Sequence, residues 1–262
     1  MKVKERAKVL QQSCIAADIY DMTLAVSFAG DCVPGQFVSL MTEDGSRLMP
    51  RPISICGIEK DAIRLVYRVA GSGTADFSAL KAGDEITVIG PMGNGFPLDV
   101  CAGKRVLLIG GGIGIPPMLE TGRTLQGLPE DEKPASLAYV VGYRTDDKYL
   151  YNDLCAVAPV YVSTDDGSFG VHGTVVDAMK AAGLEADVIL SCGPKPMLRA
   201  LKAVADEQGI DLWVSMEEKM ACGIGACLAC VCQSTEVDHH SHVHNKRVCK
   251  DGPVFNSKEV VL

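Results

Sequence analysis

Four cysteines carry the strongest chemical signal in the sequence. Cys222, Cys227 and Cys230 stand in a C-x4-C-x2-C run, and Cys249 follows after an interval. That spacing belongs to plant-type [2Fe–2S] clusters, in which four thiolates hold two irons. Gly223 and Gly225 fall in the long first gap, where the loop must wrap tightly and bring backbone N–H groups towards sulfur. Ala226, Leu228 and Ala229 are small or apolar and keep water from the metal. Cys227 and Cys230 alone also make the C-x2-C half of a zinc knuckle. Zinc sites have little use for the C-x4-C half, so the spacing favours iron and sulfur. Cys232 reads as a buried spare cysteine, not a ligand. His239, His240, His242 and His244 lie between the third and fourth ligands. A Rieske centre would replace two cysteines by histidines, but four cysteines already suffice, so these histidines read as a solvated hairpin tip.

A cluster of this type passes one electron at a time and makes no product by itself. The rest of the chain must therefore hold a donor or an acceptor. The 262 residues suffice for two medium domains and a small one, and the hydrophobic share of 47% allows proper cores. The net charge of −8 argues against nucleic acid and against an anionic membrane surface as partners. No apolar run reaches membrane-spanning length, and Met1-Lys2-Val3-Lys4-Glu5-Arg6 leads into no signal-peptide core. Eleven cysteines without such a signal predict a reducing, cytoplasmic setting and metal or redox use instead of disulfides.

Residues 1–100 read as short strands with turns between them: 19–28, 35–41, 53–58, 62–69 and 85–89. This rhythm predicts an antiparallel β-barrel. Two places interrupt it. Arg51-Pro52-Ile53-Ser54 sets a charge and a hydroxyl around a proline at a strand start. Gly71-Ser72-Gly73-Thr74 reads as a glycine turn feeding a short helix, whose first N–H groups suit a phosphate, with Arg51 as countercharge. Each motif alone is common in surface turns and caps.

From residue 104 the pattern changes to strands alternating with helices, which predicts a parallel sheet. The strands are 105–109, 136–142, 160–164 and 187–192; helices end near residues 126, 182 and 208. The first strand runs into Gly110-Gly111-Gly112-Ile113-Gly114-Ile115-Pro116-Pro117. A dinucleotide belongs at such a turn, yet the Rossmann fingerprint fails, because Ile115 stands where the third glycine should be and no acidic residue ends the second strand. On that fingerprint alone the turn could be a plain strand–helix connection.

The turn matches a different signature. Gly112-Ile113-Gly114-Ile115-Pro116-Pro117 and, roughly 80 residues later, Cys192-Gly193-Pro194-Lys195-Pro196-Met197 resemble the G-x-G-x-x-P and Cys-Gly-Pro-x-x-Met motifs of the ferredoxin–NADP reductase superfamily. The Arg51–Ser54 segment resembles its flavin-binding strand. The resemblance implies a multidomain β plus α/β fold: an FAD-binding antiparallel β-barrel over 1–100, a parallel α/β NAD-binding domain over 101–212 and a small [2Fe–2S] domain over 213–262. It further implies that Arg51 pairs with the FAD diphosphate, on one strand with Pro52 and Ile53, and that Ser54 hydrogen-bonds near the reactive flavin nitrogen. Val66, Tyr67 and Arg68 would flank the isoalloxazine and ribityl, and Gly73 and Thr74 would hold the diphosphate. Gly112 and Gly114 would face the NAD, and Cys192, with Gly193, Pro194 and Met197, would lie by its nicotinamide. Arg144-Thr145-Asp146-Asp147-Lys148 carries two aspartates that disfavour an extra phosphate, which predicts NAD over NADP.

Further stretches narrow the resemblance. Pro91-Met92-Gly93-Asn94-Gly95-Phe96-Pro97, Ser215-Met216-Glu217-Glu218-Lys219-Met220 and Cys249-Lys250-Asp251-Gly252-Pro253-Val254-Phe255 are similar to the electron-transfer subunits of class 1B dihydroorotate dehydrogenases. That family implies a separate FMN-containing catalytic subunit, two copies of each chain, and electrons passing from FMN through [2Fe–2S] and FAD to NAD+. No dihydroorotate site is evident in this chain. Two alternatives stand beside this reading: a flavin and iron–sulfur reductase subunit of another NAD(P)H-linked oxidoreductase, and a zinc-stapled binding module with a vestigial nucleotide fold.

Overall fold

A computed structural model describes residues 2–42, 49–237 and 242–262. The first part is a closed barrel with strand order β1-β2-β5-β4-β3-β6. Its strands are β1 (Val3–Ala16), β2 (Ile19–Ala25), β3 (Phe37–Met41), β4 (Arg51–Ile58), β5 (Ala62–Arg68) and β6 (Glu85–Met92), with α1 (Ser72–Ser78) between the last two. Alternation builds it. Met22 and Leu24 of β2, Ile63 and Leu65 of β5, and Ile86 and Val88 of β6 are buried, and all fall in one core. The longest strand, β1, escapes the sequence reading. Its Lys4, Arg6, Lys8 and Gln11 disguise it as a charged stretch, while Ala7 and Val9 point inward. It pairs with β2 on one side and β6 on the other, and so closes the barrel.

The second part is a seven-stranded sheet in the order β10-β9-β8-β7-β11-β12-β15. It contains β7 (Arg105–Gly111), β8 (Ser136–Tyr143), β9 (Val160–Thr164), β10 (Val171–His172), β11 (Val188–Cys192) and β12 (Asp211–Ser215), all parallel. Its helices are α2 (Ile115–Gly127), α3 (Tyr151–Cys155), α4 (Val175–Ala181) and α5 (Lys195–Gln208). Central β7 is buried from Val106 to Gly111, as a strand covered on both faces should be. Met118, Leu119 and Leu125 of α2 share one core with Cys56 and Val66 of the barrel. Ala178, Met179, Leu198 and Leu201 of α4 and α5 share the other with Phe37 and Met92 of the barrel.

The C-terminal part is a short hairpin of β13 (Val231–Gln233) and β14 (Asn245–Arg247), followed by β15 (Val254–Asn256). β15 pairs antiparallel with β12, so the tail completes the nucleotide sheet. Cys230, Cys232 and Cys249 are buried in the core shared with α4 and α5. His242 and His244 are exposed beside the hairpin, and His239 and His240 lie outside the described residues. The apolar cores thus run across both expected domain boundaries.

Ionic contacts reinforce the junction of barrel and sheet. Arg64 of β5 donates to Asp21 of β2 and to Asp153 of α3, both at 2.7 Å. Glu120 of α2 is only 7% exposed, and its carboxylate accepts from the Ile58 N–H at 3.1 Å and from the Thr124 hydroxyl at 3.1 Å. Burial pushes this carboxyl above the usual range, against the pull of those two donors and of Arg123.

Candidate functional site

The two glycine motifs of the sheet meet because β7 and β11 are neighbours, with Gly110 opposite Cys192. The turn after β7 presses on the segment after β11. A Cβ on Gly114 would overlap the Cys192 carbonyl, and one on Gly111 would lie 2.5 Å from Met197 Sδ. Met197 also packs on Gly193, so it acts as a wedge between the two turns. Gly112 takes φ +53°, and among the described residues the one neighbour within 4 Å of a Cβ there would be Arg68 Nη2 at 3.9 Å. Room therefore remains over this turn, at the carboxyl end of a parallel sheet, where nucleotides bind in open α/β folds. Among the described residues, two buried hydroxyls at that end of the sheet have no hydrogen-bond partner: Ser163 near the end of β9 and Ser191 next to Cys192. Such orphaned polar atoms fit a polar ligand that completes them. Burial pushes the Cys192 thiol up to about 12, only partly opposed by the Ser215 hydroxyl, so it stays protonated and is too weak an acid to give up its proton readily at neutral pH.

On the barrel, Arg51 begins β4 and Gly73 lies in the first turn of α1. A Cβ on Gly73 would fall 2.5 Å from Arg51 Nε, so the guanidinium and the helix start form one cradle. Helix N-termini leave N–H groups without intrahelical partners, and a guanidinium beside them adds positive charge, which fits a diphosphate. The Thr74 hydroxyl is engaged locally. It accepts from Ala70 N at 2.9 Å and donates to Gly71 O at 3.0 Å, which leaves its backbone for a ligand. Pro52, Ile53 and Ser54 are half-buried along the same strand. On β5, Val66 faces the junction core, while the Tyr67 ring is 1% exposed inside the barrel, donates to Gln12 at 3.0 Å and stacks on Tyr20. A strand sends alternate side chains to opposite faces, so only the main chain of Tyr67 faces outward. Arg68 reaches across to the Gly112 turn and the Tyr149 hydroxyl; burial pushes Tyr149 up to about 12, and Arg68 opposes it.

The four spaced cysteines come together. The Cys222 thiol lies within hydrogen-bonding reach of Cys227 and the Cys249 thiol within reach of Cys230, and Cys249 also feels the Cys222 charge; all four are free thiols. Positive φ values at Gly223 (66°), Gly225 (85°) and Leu228 (59°) wrap the loop so that N–H groups turn towards sulfur. Ile224 N lies 3.4 Å from Cys222 Sγ, and Cys249 N lies 3.4 Å from Cys230 Sγ. Burial alone would raise the Cys222 thiol, yet N–H donors from Ile224, Cys227 and Ala226 and the Cys227 thiol bring it down to about 6. Cys249 is pushed up to about 12 by burial and by the neighbouring Cys230. Among the described residues, no three His, Cys, Asp or Glu side chains converge on one ion position. A two-iron cluster does not need that, since each iron takes two thiolates. The donor set and its N–H groups fit such a cluster.

The loop also lies next to the barrel. A Cβ on Gly223 would be 2.6 Å from the Met92 methyl and 3.3 Å from Ser39 Oγ. Ser39 of β3 is opposite Pro52 of β4. One strand thus separates the cysteine loop from the Arg51–Ser54 segment, while Arg68, on the same barrel, reaches the dinucleotide turn.

Comparisons with known proteins agree with this geometry. Residues 217–261 match the family model described as the iron-sulfur cluster binding domain of dihydroorotate dehydrogenase B. The dihydroorotate dehydrogenase B (NAD(+)) electron transfer subunit of Listeria monocytogenes serotype 4a is 45% identical over 259 residues, covering 97% of this chain and 98% of its own. The chain belongs to the dihydroorotate dehydrogenase B electron transfer subunit family. Its counterpart from Geobacillus thermodenitrificans is 41% identical, with 99% of each chain covered. Among solved structures, an NADH-dependent reduced ferredoxin-NADP oxidoreductase aligns with a TM-score of 0.83 and 29% identity over 97% of this chain and 89% of its own. The Neisseria gonorrhoeae ferredoxin NADP+ reductase with bound FAD and NADP shares the fold, at a TM-score of 0.67 and 17% identity over 79% of this chain and 92% of its own.

Against that family background, one acidic pair stands out that the sequence reading passed over. No acidic residue ends the second strand, whose nearest carboxylates are Asp146 and Asp147 in the loop beyond it, but Asp165 and Asp166 directly follow β9, the third. Asp165 N donates to Tyr143 O at the end of β8, which sets the pair on the rim of the same crevice. The Asp-Asp-Gly after an apolar strand was the available signal.

Proposed function

We propose that this chain is the electron-transfer subunit of an NAD-dependent dihydroorotate dehydrogenase, acting in pyrimidine biosynthesis. The carrying observation is the juxtaposition of three cradles: cysteine loop on Met92 and Ser39, Arg51–Ser54 one strand away, and Arg68 over the dinucleotide turn. Cys222, Cys227, Cys230 and Cys249 hold the [2Fe–2S] cluster; the N–H groups of their loop stabilise the thiolates. Arg51 and the start of α1 at Gly73 and Thr74 bind the FAD diphosphate, and Pro52 to Ser54 and Val66 to Arg68 border the flavin ring. Gly112 and Gly114 let the backbone approach NAD, and Cys192, Gly193 and Pro194 form the wall for its nicotinamide, with Met197 keeping the two turns apart. When bound, the cluster passes single electrons and the flavin gathers two of them for delivery to NAD as a hydride.

Asp165 at the end of β9 supports NAD over NADP, because a carboxylate accepts from ribose hydroxyls and repels an extra phosphate. A catalytic subunit carrying FMN and the dihydroorotate site is the partner, with two copies of each chain in the assembly. Its docking face is the cysteine loop, where Ile224 and Leu228 are 51% and 55% exposed. All eleven cysteines are free, which suits a reducing cytoplasm. No described helix is long and apolar enough to cross a membrane. Purified chain should carry FAD and two irons per polypeptide, and NADH should bleach the flavin. Zinc in place of iron, or no flavin, would overturn the reading.

A further inference from the structure

The segment Pro91-Met92-Gly93-Asn94-Gly95-Phe96-Pro97 brings no reactive side chain to any of the three cradles, yet all three parts of the molecule meet on it. It is fixed to the barrel: Phe96 N donates to Pro34 O at 2.9 Å, and Gln36 Nε2 donates to Gly93 O at 2.9 Å. Met92 lies opposite Phe37, which in turn lies opposite Ser54 of the proposed flavin strand. On its outer side the segment grips the tail. Asn94 N donates to Gly252 O at 2.8 Å, Asn94 Nδ2 donates to Val254 O at 2.8 Å, and Asn94 Oδ1 accepts from Val254 N at 2.9 Å. Gly93, at φ +74°, lies so close to Pro253 that any Cβ there would overlap the ring.

The gripped residues are three to five positions after Cys249. The intervening turn is closed by hydrogen bonds, with Asp251 N donating to Arg247 O at 2.8 Å and Arg247 Nε donating to Asp251 Oδ2 at 2.8 Å. The position of residues 252–254 is therefore coupled to that of Cys249. β15 then enters the nucleotide sheet, so the same grip also orients the tail against β12.

We propose that Asn94 is a positioning residue: its amide anchors residues 252–254 to the barrel, and so sets where Cys249 stands relative to the flavin strand. This rests on the reading of Cys249 as a cluster ligand and of β4 as the flavin strand. The amide is well suited to the task, since it supplies one donor and one acceptor to a single residue's N–H and C=O, a pairing no carboxylate or hydroxyl reproduces fully.

The test uses the full chain with its cofactors bound, in complex with the catalytic subunit. In Asn94→Ala, FAD content and the rate of flavin reduction by NADH should match the wild type. Amide exchange over 249–256 should accelerate, and the following flavin-to-cluster step should slow, each by about tenfold or more, as for outer supports of metal ligands. Loss of iron with FAD retained would support the proposal as well, because Cys249 would then have moved out of reach. Asn94→Asp keeps the acceptor for Val254 N–H and loses the donor; it should show the same pattern, reduced. Unchanged exchange over 249–256 together with an unchanged flavin-to-cluster rate in both variants would overturn the proposal. Wild-type protein lacking iron or flavin would instead overturn the reading beneath it, and the proposal with it.

Discussion

The dinucleotide turn and the cysteine loop are both glycine-rich wraps of backbone, yet they are held in different ways. The turn after β7 is built from protein alone. Strand pairing, the Met197 wedge and the Gly114 contact with the Cys192 carbonyl fix it inside a buried sheet. The cysteine loop contains no helix or strand from Met216 to Cys230, three of its residues sit at positive φ, and Ile224 and Leu228 face outward. With the proposed ligand set, thiolate–metal bonds would add to its order, so that binding free energy there would also be folding free energy. On the proposed reading, an exchangeable substrate meets a finished site, while a resident cluster helps to build its own.

The sharpest way to break this contrast is Cys227→Ser. The account expects loss of the cluster spectrum, rapid amide exchange across 217–230, and FAD still bound with normal NADH-driven bleaching. A normal cluster spectrum in this variant would remove Cys227 from the ligand set. The converse variant is Gly114→Ala. Overpacking against the Cys192 carbonyl should destabilise the nucleotide domain by about 1–3 kcal/mol. A misplaced turn should slow flavin reduction by NADH about a hundredfold, with iron content unchanged. Wild-type kinetics would mean that the turn tolerates more than its packing implies.

Arg51→Ala falls between the two. Removing one charge-assisted contact should weaken FAD binding by about 2 kcal/mol, roughly thirtyfold in Kd. Flavin retention on dilution and gel filtration reads this out, and unaltered retention would move the diphosphate elsewhere.

The smallest effect concerns the latch between α2 and β4. The folded-state pKa of Glu120 is raised by burial. The stability it contributes is therefore fully present below its unfolded pKa of about 4.3 and lost as pH rises through the folded value. Glu120→Gln should accordingly gain on the wild type in denaturation midpoint as the pH rises above about 4.3. A gap that narrows with pH would show that the carboxylate is stabilised in place.

Much of this was legible in the residues. The barrel follows from the two-residue alternation, the sheet from apolar runs between helices, and the two nucleotide motifs lie on adjacent strands. Several features escaped for physical reasons. β1 carries too many long charged side chains to look like a strand, although only Ala7 and Val9 need to be inside. β15 is three residues long, and its partner β12 precedes it by about 40 residues, so no local pattern announces it. Tyr67 continues the inward alternation of Ile63 and Leu65 on its strand, so its ring lies in the barrel core, and the flavin-strand resemblance took precedence over that two-residue period. Asp165 was missed because the search followed the second strand, whereas the acidic pair ends the third.

The most direct test of the central claim is to co-express this chain with the dihydroorotate-oxidising subunit of the same organism, purify the complex, and follow NAD+ reduction with dihydroorotate as sole donor. The account predicts NADH only when both chains are present, and none with the Cys227→Ser chain. NADH formation that survives loss of the cluster, or its absence from an intact complex holding FAD and iron, would contradict it.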